Sequence, residues 1–115
     1  MKAICYHNPR CGKSRLTLQL LQDHAIDVEV IEYLKTPPTA EVLDNLLLML
    51  DMQPRELMRK NEAIYKDLSL GNTESDRLAL IEIMITHPIL IERPIVVVGN
   101  KAVIGRPPET VLTLL

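Results

Sequence analysis

Residues 2–33 read KAICYHNPRCGKSRLTLQLLQDHAIDVEVIEY, and this stretch decides the fold. Residues 2–7 form a short, mostly apolar run of the kind that makes a buried strand. Asn8-Pro9 ends it, because proline has no N–H to give a sheet ladder. From Gly12 to about His24 the pattern turns helical, with Leu16, Leu20 and Leu21 predicted on one face. Residues 27–33 alternate, Val28 and Val30 against Glu29, and predict a second strand. A strand, a helix and a strand in so short a span make a βαβ unit, expected to be parallel and right-handed.

Beyond it, Pro37-Pro38 closes the unit and Thr39 is placed to cap a helix running to Leu50. Pro54 suits the first turn of another helix through Arg59, and residues 63–70 predict a further turn or two ending at Gly71. Thr73-Glu74-Ser75-Asp76 resembles a capping box, and the helix after it carries Leu78, Ile81 and Ile85 before His87-Pro88 stops it. Residues 39–87 are thus mostly helical. Pro94 to Val98 then reads as a strand, Gly99-Asn100 as a two-residue hairpin turn, and Lys101 to Ile104 as its partner. Pro107-Pro108 opens a last short helix. The order predicts an α/β domain spanning 1–115, a mixed four-stranded sheet with a helical region inserted at about 39–87. That order is the one used by thioredoxin-like folds.

Composition narrows the function. The chain has 115 residues, enough for one core, and is 47% hydrophobic and 24% charged, a globular balance. With no Phe, no Trp and three Tyr, the core must be aliphatic and base-stacking platforms are scarce. A formal net charge of −2 argues against a nucleic-acid partner held by bulk positive charge. The N-terminus has no cleavable signal pattern, and no apolar run approaches the ~20 residues of a membrane span. The expected setting is cytoplasmic, where thiols stay reduced. Two cysteines, Cys5 and Cys11, do not make a disulfide scaffold.

Cys11 is the strongest chemical feature. It stands beside Gly12 at the strand-to-helix junction, where unsatisfied N–H groups and the helix dipole favour an anion. Arg10, Lys13 and Arg15 add positive charge. The position suits a nucleophile in an anion-binding loop, or a small residue filling a tight turn. Ser14 occupies the place of the second cysteine in a C-x-x-C motif, so no resolving thiol lies inside the motif. Cys5, between Ile4 and Tyr6, reads as a core residue. If Cys11 is oxidised in turnover, an external thiol must restore it. His7 could orient or deprotonate the thiol, or cap the loop; Ser14 could hydrogen-bond the thiolate, or satisfy the helix end. No recognised metal-ligand spacing is present. Arg59, Arg93 and Arg106 stand at element boundaries, as surface charges or as guanidinium forks for an oxyanion.

HNPRCGKSR at 7–15, RKNE at 59–62, HPILIERPIVV at 87–97 and GRPPE at 105–109 together resemble the glutaredoxin-dependent arsenate reductase family of bacterial type, along essentially the whole chain. The resemblance implies a thioredoxin-like fold with Cys11 as catalytic nucleophile and His7, Ser14 and Arg15 supporting its thiolate. It implies Arg59, Arg93 and Arg106 as the oxyanion-binding set, Gly12 as a structural residue beside the thiol, and Pro94 as a cis proline facing it. The implied substrate is arsenate or a similar oxyanion. Glutathione is the implied co-substrate and glutaredoxin the partner, with no bound cofactor and no metal. Related proteins in the same fold include Spx-type regulators, which bind RNA polymerase through a C-x-x-C switch, and a general thiol-disulfide oxidoreductase is a third reading.

Overall fold

The computed structural model describes residues 1–71 and 75–115. Its elements run β1 (Lys2–Tyr6), α1 (Gly12–Asp23), β2 (Asp27–Ile31), α2 (Ala40–Leu50), α3 (Pro54–Leu57), α4 (Ala63–Asp67), α5 (Arg77–Thr86), β3 (Ile95–Val98) and β4 (Lys101–Ile104). Short 3-10 helices cover Pro88–Leu90 and Pro108–Leu114. Contacts divide the chain into two compact units, Met1–Thr36 with Arg93–Leu115, and Pro37–Glu92.

The first unit is built on a four-stranded sheet in the order β2-β1-β3-β4. β1 and β2 are parallel, from Lys2↔Asp27 to Tyr6↔Ile31, as the βαβ reading required. β3 runs antiparallel to β1, with Cys5 opposite Val96, and β4 returns antiparallel to β3. The hairpin turns at Gly99, whose φ of +62° favours glycine. This is the mixed sheet of the thioredoxin-like fold. A core of Ala3, Cys5, Leu21, Val96 and Val111 is fully or almost fully buried, with Ile26, Val28 and Val103 packed against it.

The strand directions decide where chemistry can gather. Tyr6 pairs with Ile95, and Ile95 pairs with Ile104. The loop leaving β1, the segment entering β3 and the segment leaving β4 therefore meet at one end of the sheet. Residues 7–11, Arg93-Pro94 and Gly105-Arg106 occupy that end.

The helical unit is held by apolar side chains of α2 and α5. Leu43, Leu46 and Leu47 are buried on α2, and Leu80, Ile81 and Met84 on α5. Thr39 caps α2 by accepting from the Val42 N–H, and Asp76 caps α5 by accepting from the Ala79 N–H. The capping-box reading centred on Thr73 falls partly on residues 72–74, outside the described residues. Among the described residues, no helix is long and apolar enough to cross a membrane.

Several local expectations change. Leu16, predicted on one face with Leu20 and Leu21, and Leu78, grouped with Ile81 and Ile85, are each 61% exposed. On α1 the inward stripe is instead Ser14, Thr17 and Leu21, because Ser14 and Thr17 are drawn in by hydrogen bonds. α3 stops at Leu57 rather than Arg59, since Met58 leaves the helix to bridge Ile91. α4 ends before Gly71: Ser69 takes the left-handed conformation, its N–H donates to Lys66 O, and the Leu70 N–H donates to Tyr65 O. Ala25 ends α1 in the same way, with φ 58°, its N–H donating to Gln22 O and the Ile26 N–H to Leu21 O.

Candidate active site

Cys11 is the N-cap residue of α1, in an extended conformation with φ −91° and ψ 122°. Its carbonyl accepts from the Arg15 N–H and its own N–H donates to Asn8 O, which closes the turn Asn8–Cys11, and Asn8 Oδ1 accepts from the Arg10 N–H within it. The Cys11 side chain makes no capping hydrogen bond. The sulfur is therefore not consumed by the helix end that holds it, and it remains half-buried and free of any disulfide.

Beneath the loop lies a small polar cluster. His7 Nδ1 is 2.7 Å from Ser14 Oγ, and the Asn8 N–H donates to the same oxygen at 3.0 Å. Ser14 is fully buried and His7 nearly so. A hydroxyl can donate one hydrogen bond and accept two, so both contacts are met whichever ring nitrogen carries the proton. Desolvation lowers the His7 pKa from its ordinary value; Glu32 opposes this shift and Arg15 adds to it. Burial therefore favours the neutral ring.

Two guanidinium groups stand beside the turn, and Arg93 lies at the entry to β3. Arg15 Nη1 donates to Pro9 O at 2.9 Å, so its guanidinium folds back over the loop, 3.8 Å from where a β-carbon on Gly12 would stand. Arg106 Nη1 lies 4.0 Å from Cys11 Sγ and 3.4 Å from Arg93 O. Arg93 Nε and Nη1 are removed from solvent. The Arg93–Pro94 and Arg106–Pro107 bonds are both cis, the second of which sequence reasoning did not anticipate. Thus Cys11, His7, Gly12, Ser14, Arg15, Arg93, Pro94 and Arg106 share one end of the sheet of the first unit. Arg59 belongs to the helical unit. There its Nη1 donates to Glu62 and its Nε is 3.8 Å from Glu92, while its N–H donates to Leu90 O.

Cys5 has a different character. It is fully buried on the central strand, and burial pushes its thiol up to about 12. A thiolate is therefore not available there at neutral pH. Among the described residues no cluster of three or more His, Cys, Asp or Glu is placed to hold a metal ion.

Two residues of the site went unread in the sequence. Thr17 Oγ1 donates to Lys13 O at 2.8 Å and reaches Gly105 O at 3.3 Å, tying α1 to the segment that carries Arg106. Gly105 permits that approach. The GRPPE motif contained it, yet nothing local says that residue 17 will be its neighbour.

A cysteine free of disulfides thus stands at the N-terminus of α1 on a thioredoxin-like sheet, with the Arg106 guanidinium 4.0 Å from its sulfur. A family model described as the ArsC family matches residues 6–114. The chain is 51% identical to the uncharacterized protein YfgD of Escherichia coli K12, over 96% of this chain and 93% of that protein. It is 42% identical to the arsenate reductase of Haemophilus influenzae over the full length of both. Among solved structures, the arsenate reductase from Vibrio cholerae superimposes with a TM-score of 0.96 at 47% identity, covering 100% of this chain and 98% of that one. The chain belongs to the ArsC family.

Proposed function

We propose that this protein reduces arsenate to arsenite through a Cys11 thiolate, using glutathione as co-substrate and glutaredoxin to regenerate the thiol. The observation that carries the reading is the contact of Arg106 with Cys11 Sγ at the N-terminus of α1. A cation beside the sulfur favours both the thiolate and an incoming oxyanion. The family relationship and the arsenate reductases named above supply the substrate.

In this reading the Cys11 thiol condenses with dihydrogen arsenate: a sulfur–arsenic bond forms and water leaves. Arg93 and Arg106 neutralise the arsenate oxygens, and Arg59 joins them on the family resemblance. His7 and Ser14 hold the loop and polarise the thiol. A glutathione thiol then forms a disulfide with Cys11 sulfur. The sulfur–arsenic bond breaks, its electron pair stays with arsenic, and arsenic passes from +5 to +3. The thiol proton leaves with the arsenite. A glutaredoxin thiolate takes glutathione from Cys11, and the released Cys11 thiolate takes up a proton from solvent to restore the starting thiol. The cycle draws on no resident metal or cofactor, and it suits a cytoplasmic setting where these thiols are kept reduced.

Cys5 supports the need for an outside thiol, being buried and held as a neutral thiol. A C-x-x-C regulatory switch is not open to this chain, because Ser14 stands in the fourth position. The test is a coupled assay with arsenate, glutathione, glutaredoxin, glutathione reductase and NADPH. Arsenate-dependent NADPH consumption is expected. Cys11→Ser should abolish it and Cys5→Ser should preserve it. No arsenate-dependent consumption, with an active reference reductase in the same mixture, overturns the reading.

A further inference from the structure

A cleft of the first unit lies against the turn that leads to Cys11. It encloses about 270 Å³ and is walled by His7 and the turn residues 8–10 on one side, and by Glu32, Leu34 and Lys35 on the other. The parallel pairing of β1 with β2 creates it. The His7 N–H donates to Ile31 O at 2.8 Å, so the chain leaving β1 and the chain leaving β2 emerge side by side. The next residues of each diverge and leave a cleft whose wall is the turn that ends in Cys11.

The charges of that cleft form a pattern. Arg10 and Lys35 are exposed cations, and Glu32 is a half-buried anion. Among the described residues none pairs with the Arg10 guanidinium. Lys35 Nζ lies 3.5 Å from Glu32 Oε1, but the two side chains are 78% and 41% exposed. An ion pair that open to water is weak and gives way readily to a better partner. Leu34, at 37% exposure, supplies an apolar surface between them. Two cations, one carboxylate and an apolar pad complement a small molecule bearing two carboxylates, one ammonium and short methylene stems.

The chemistry of Cys11 says which small molecule needs to be held there. The chain's other thiol, Cys5, is sealed in the core, so the reducing thiol comes from outside. It must approach Cys11 without displacing the guanidinium of Arg106 that touches the sulfur. Arg10 directly precedes Cys11, with Cα atoms ~3.8 Å apart across the peptide. The cleft's lining therefore ends one residue before the reacting cysteine.

We propose that the cleft between the Asn8–Arg10 turn and Glu32–Lys35 is the binding site for glutathione, with Arg10 and Lys35 taking its two carboxylates and Glu32 its ammonium. This rests on the proposed reductase cycle and adds to it the place from which the second thiol attacks. The oxyanion enters on the Arg93 and Arg106 side of the turn, and the peptide thiol on the other. Bond changes are those of the glutathione step already written.

The test has two arms that fail separately. In the first, amide chemical shifts of the full chain are followed as S-methylglutathione, which cannot react, is added. Shifts centred on residues 7–10 and 32–35 are expected, and they should weaken in Arg10→Glu and Lys35→Glu. Shifts centred elsewhere, or none, overturn the site. In the second arm, KM values are measured in the coupled assay. Each charge reversal should raise KM for glutathione about fivefold or more while KM for arsenate stays within about twofold. Lys101→Glu, the same charge change on the β3–β4 hairpin, is the control and should leave both values unchanged. A glutathione KM no more affected than in this control overturns the proposal. So does a rise confined to the KM for glutaredoxin, which would make the cleft a protein-docking surface. If S-methylglutathione binds here but arsenate drives no turnover, the arsenate reading fails and the glutathione site stands.

Discussion

Gly105 and Thr17, separated by 88 positions in the chain, approach so closely that a β-carbon on Gly105 would stand 2.6 Å from Thr17 Oγ1. The same carbon would be 2.9 Å from Pro94 Cγ. Both neighbours belong to packed elements, so neither can simply swing away. Gly105→Ala should therefore destabilise the protein by about 1–3 kcal/mol through overpacking. It should also lower Cys11 reactivity, because Arg106 is the next residue. Urea unfolding reads the first effect and the rate of thiol alkylation the second. Adding Thr17→Ala should recover part of the loss, a coupling that two independent sites would not show.

The two thiols should respond oppositely to an alkylating agent. Iodoacetamide at neutral pH should place a single adduct on the native protein, at Cys11, by mass spectrometry of peptides. Cys5 is sealed in the core and its thiol is pushed up to about 12, so it should react only after unfolding. Adduct at Cys5 in the native protein at a rate near that of Cys11 would contradict its placement.

Acid should weaken the fold through His7. Its folded pKa lies below the ordinary histidine value, chiefly because the ring is desolvated. An unfolded chain titrates this ring near ~6.5. Between the two values the unfolded chain binds more protons than the folded one. The contribution of His7 to stability is thus full above about pH 6.5 and is lost as pH falls through that value toward the folded pKa. Urea midpoints at about pH 7.5 and about pH 5.5 measure this. His7→Gln should shrink the difference between them; an undiminished difference would place the acid sensitivity elsewhere.

Ala25 ends α1 with a positive φ although it is not glycine. A β-carbon in that conformation costs about 1–2 kcal/mol, only partly offset by the greater freedom of glycine in the unfolded chain. The residue is exposed, so no packing is lost on removing its methyl. Ala25→Gly should stabilise the protein by about 1 kcal/mol, read as a higher urea midpoint with an unchanged slope.

Much of this architecture was legible because it depends on local pattern. The βαβ opening, the Thr39 cap, the Gly99 turn and the strand pair after Pro94 each carry their signal within a few residues. The same holds for the location of Cys11 at the start of α1. Errors arose where distant partners override local pattern. Leu16 has the spacing of a core residue, but Ser14 and Thr17 claim the inner face through His7, Asn8 and Gly105. Gly71 is a plausible helix cap, yet Ser69 makes the turn first. Arg59 next to Glu62 could be read from spacing, whereas its second carboxylate, Glu92, is 33 residues away. The grouping of residue 106 with residue 11 follows from strand direction, which becomes visible only when the whole sheet is laid out.

Sealing Cys5 in the sheet has a consequence for how the oxidised protein exists at all. A chain with two accessible thiols can store its oxidation privately, as an internal bridge of unchanged composition. Here the outer sulfur has no such companion. Every disulfide it makes must carry a piece of another molecule, and the protein's mass becomes a record of what it last met. Intact-mass measurement of material taken straight from cells would read that record without any assay of turnover.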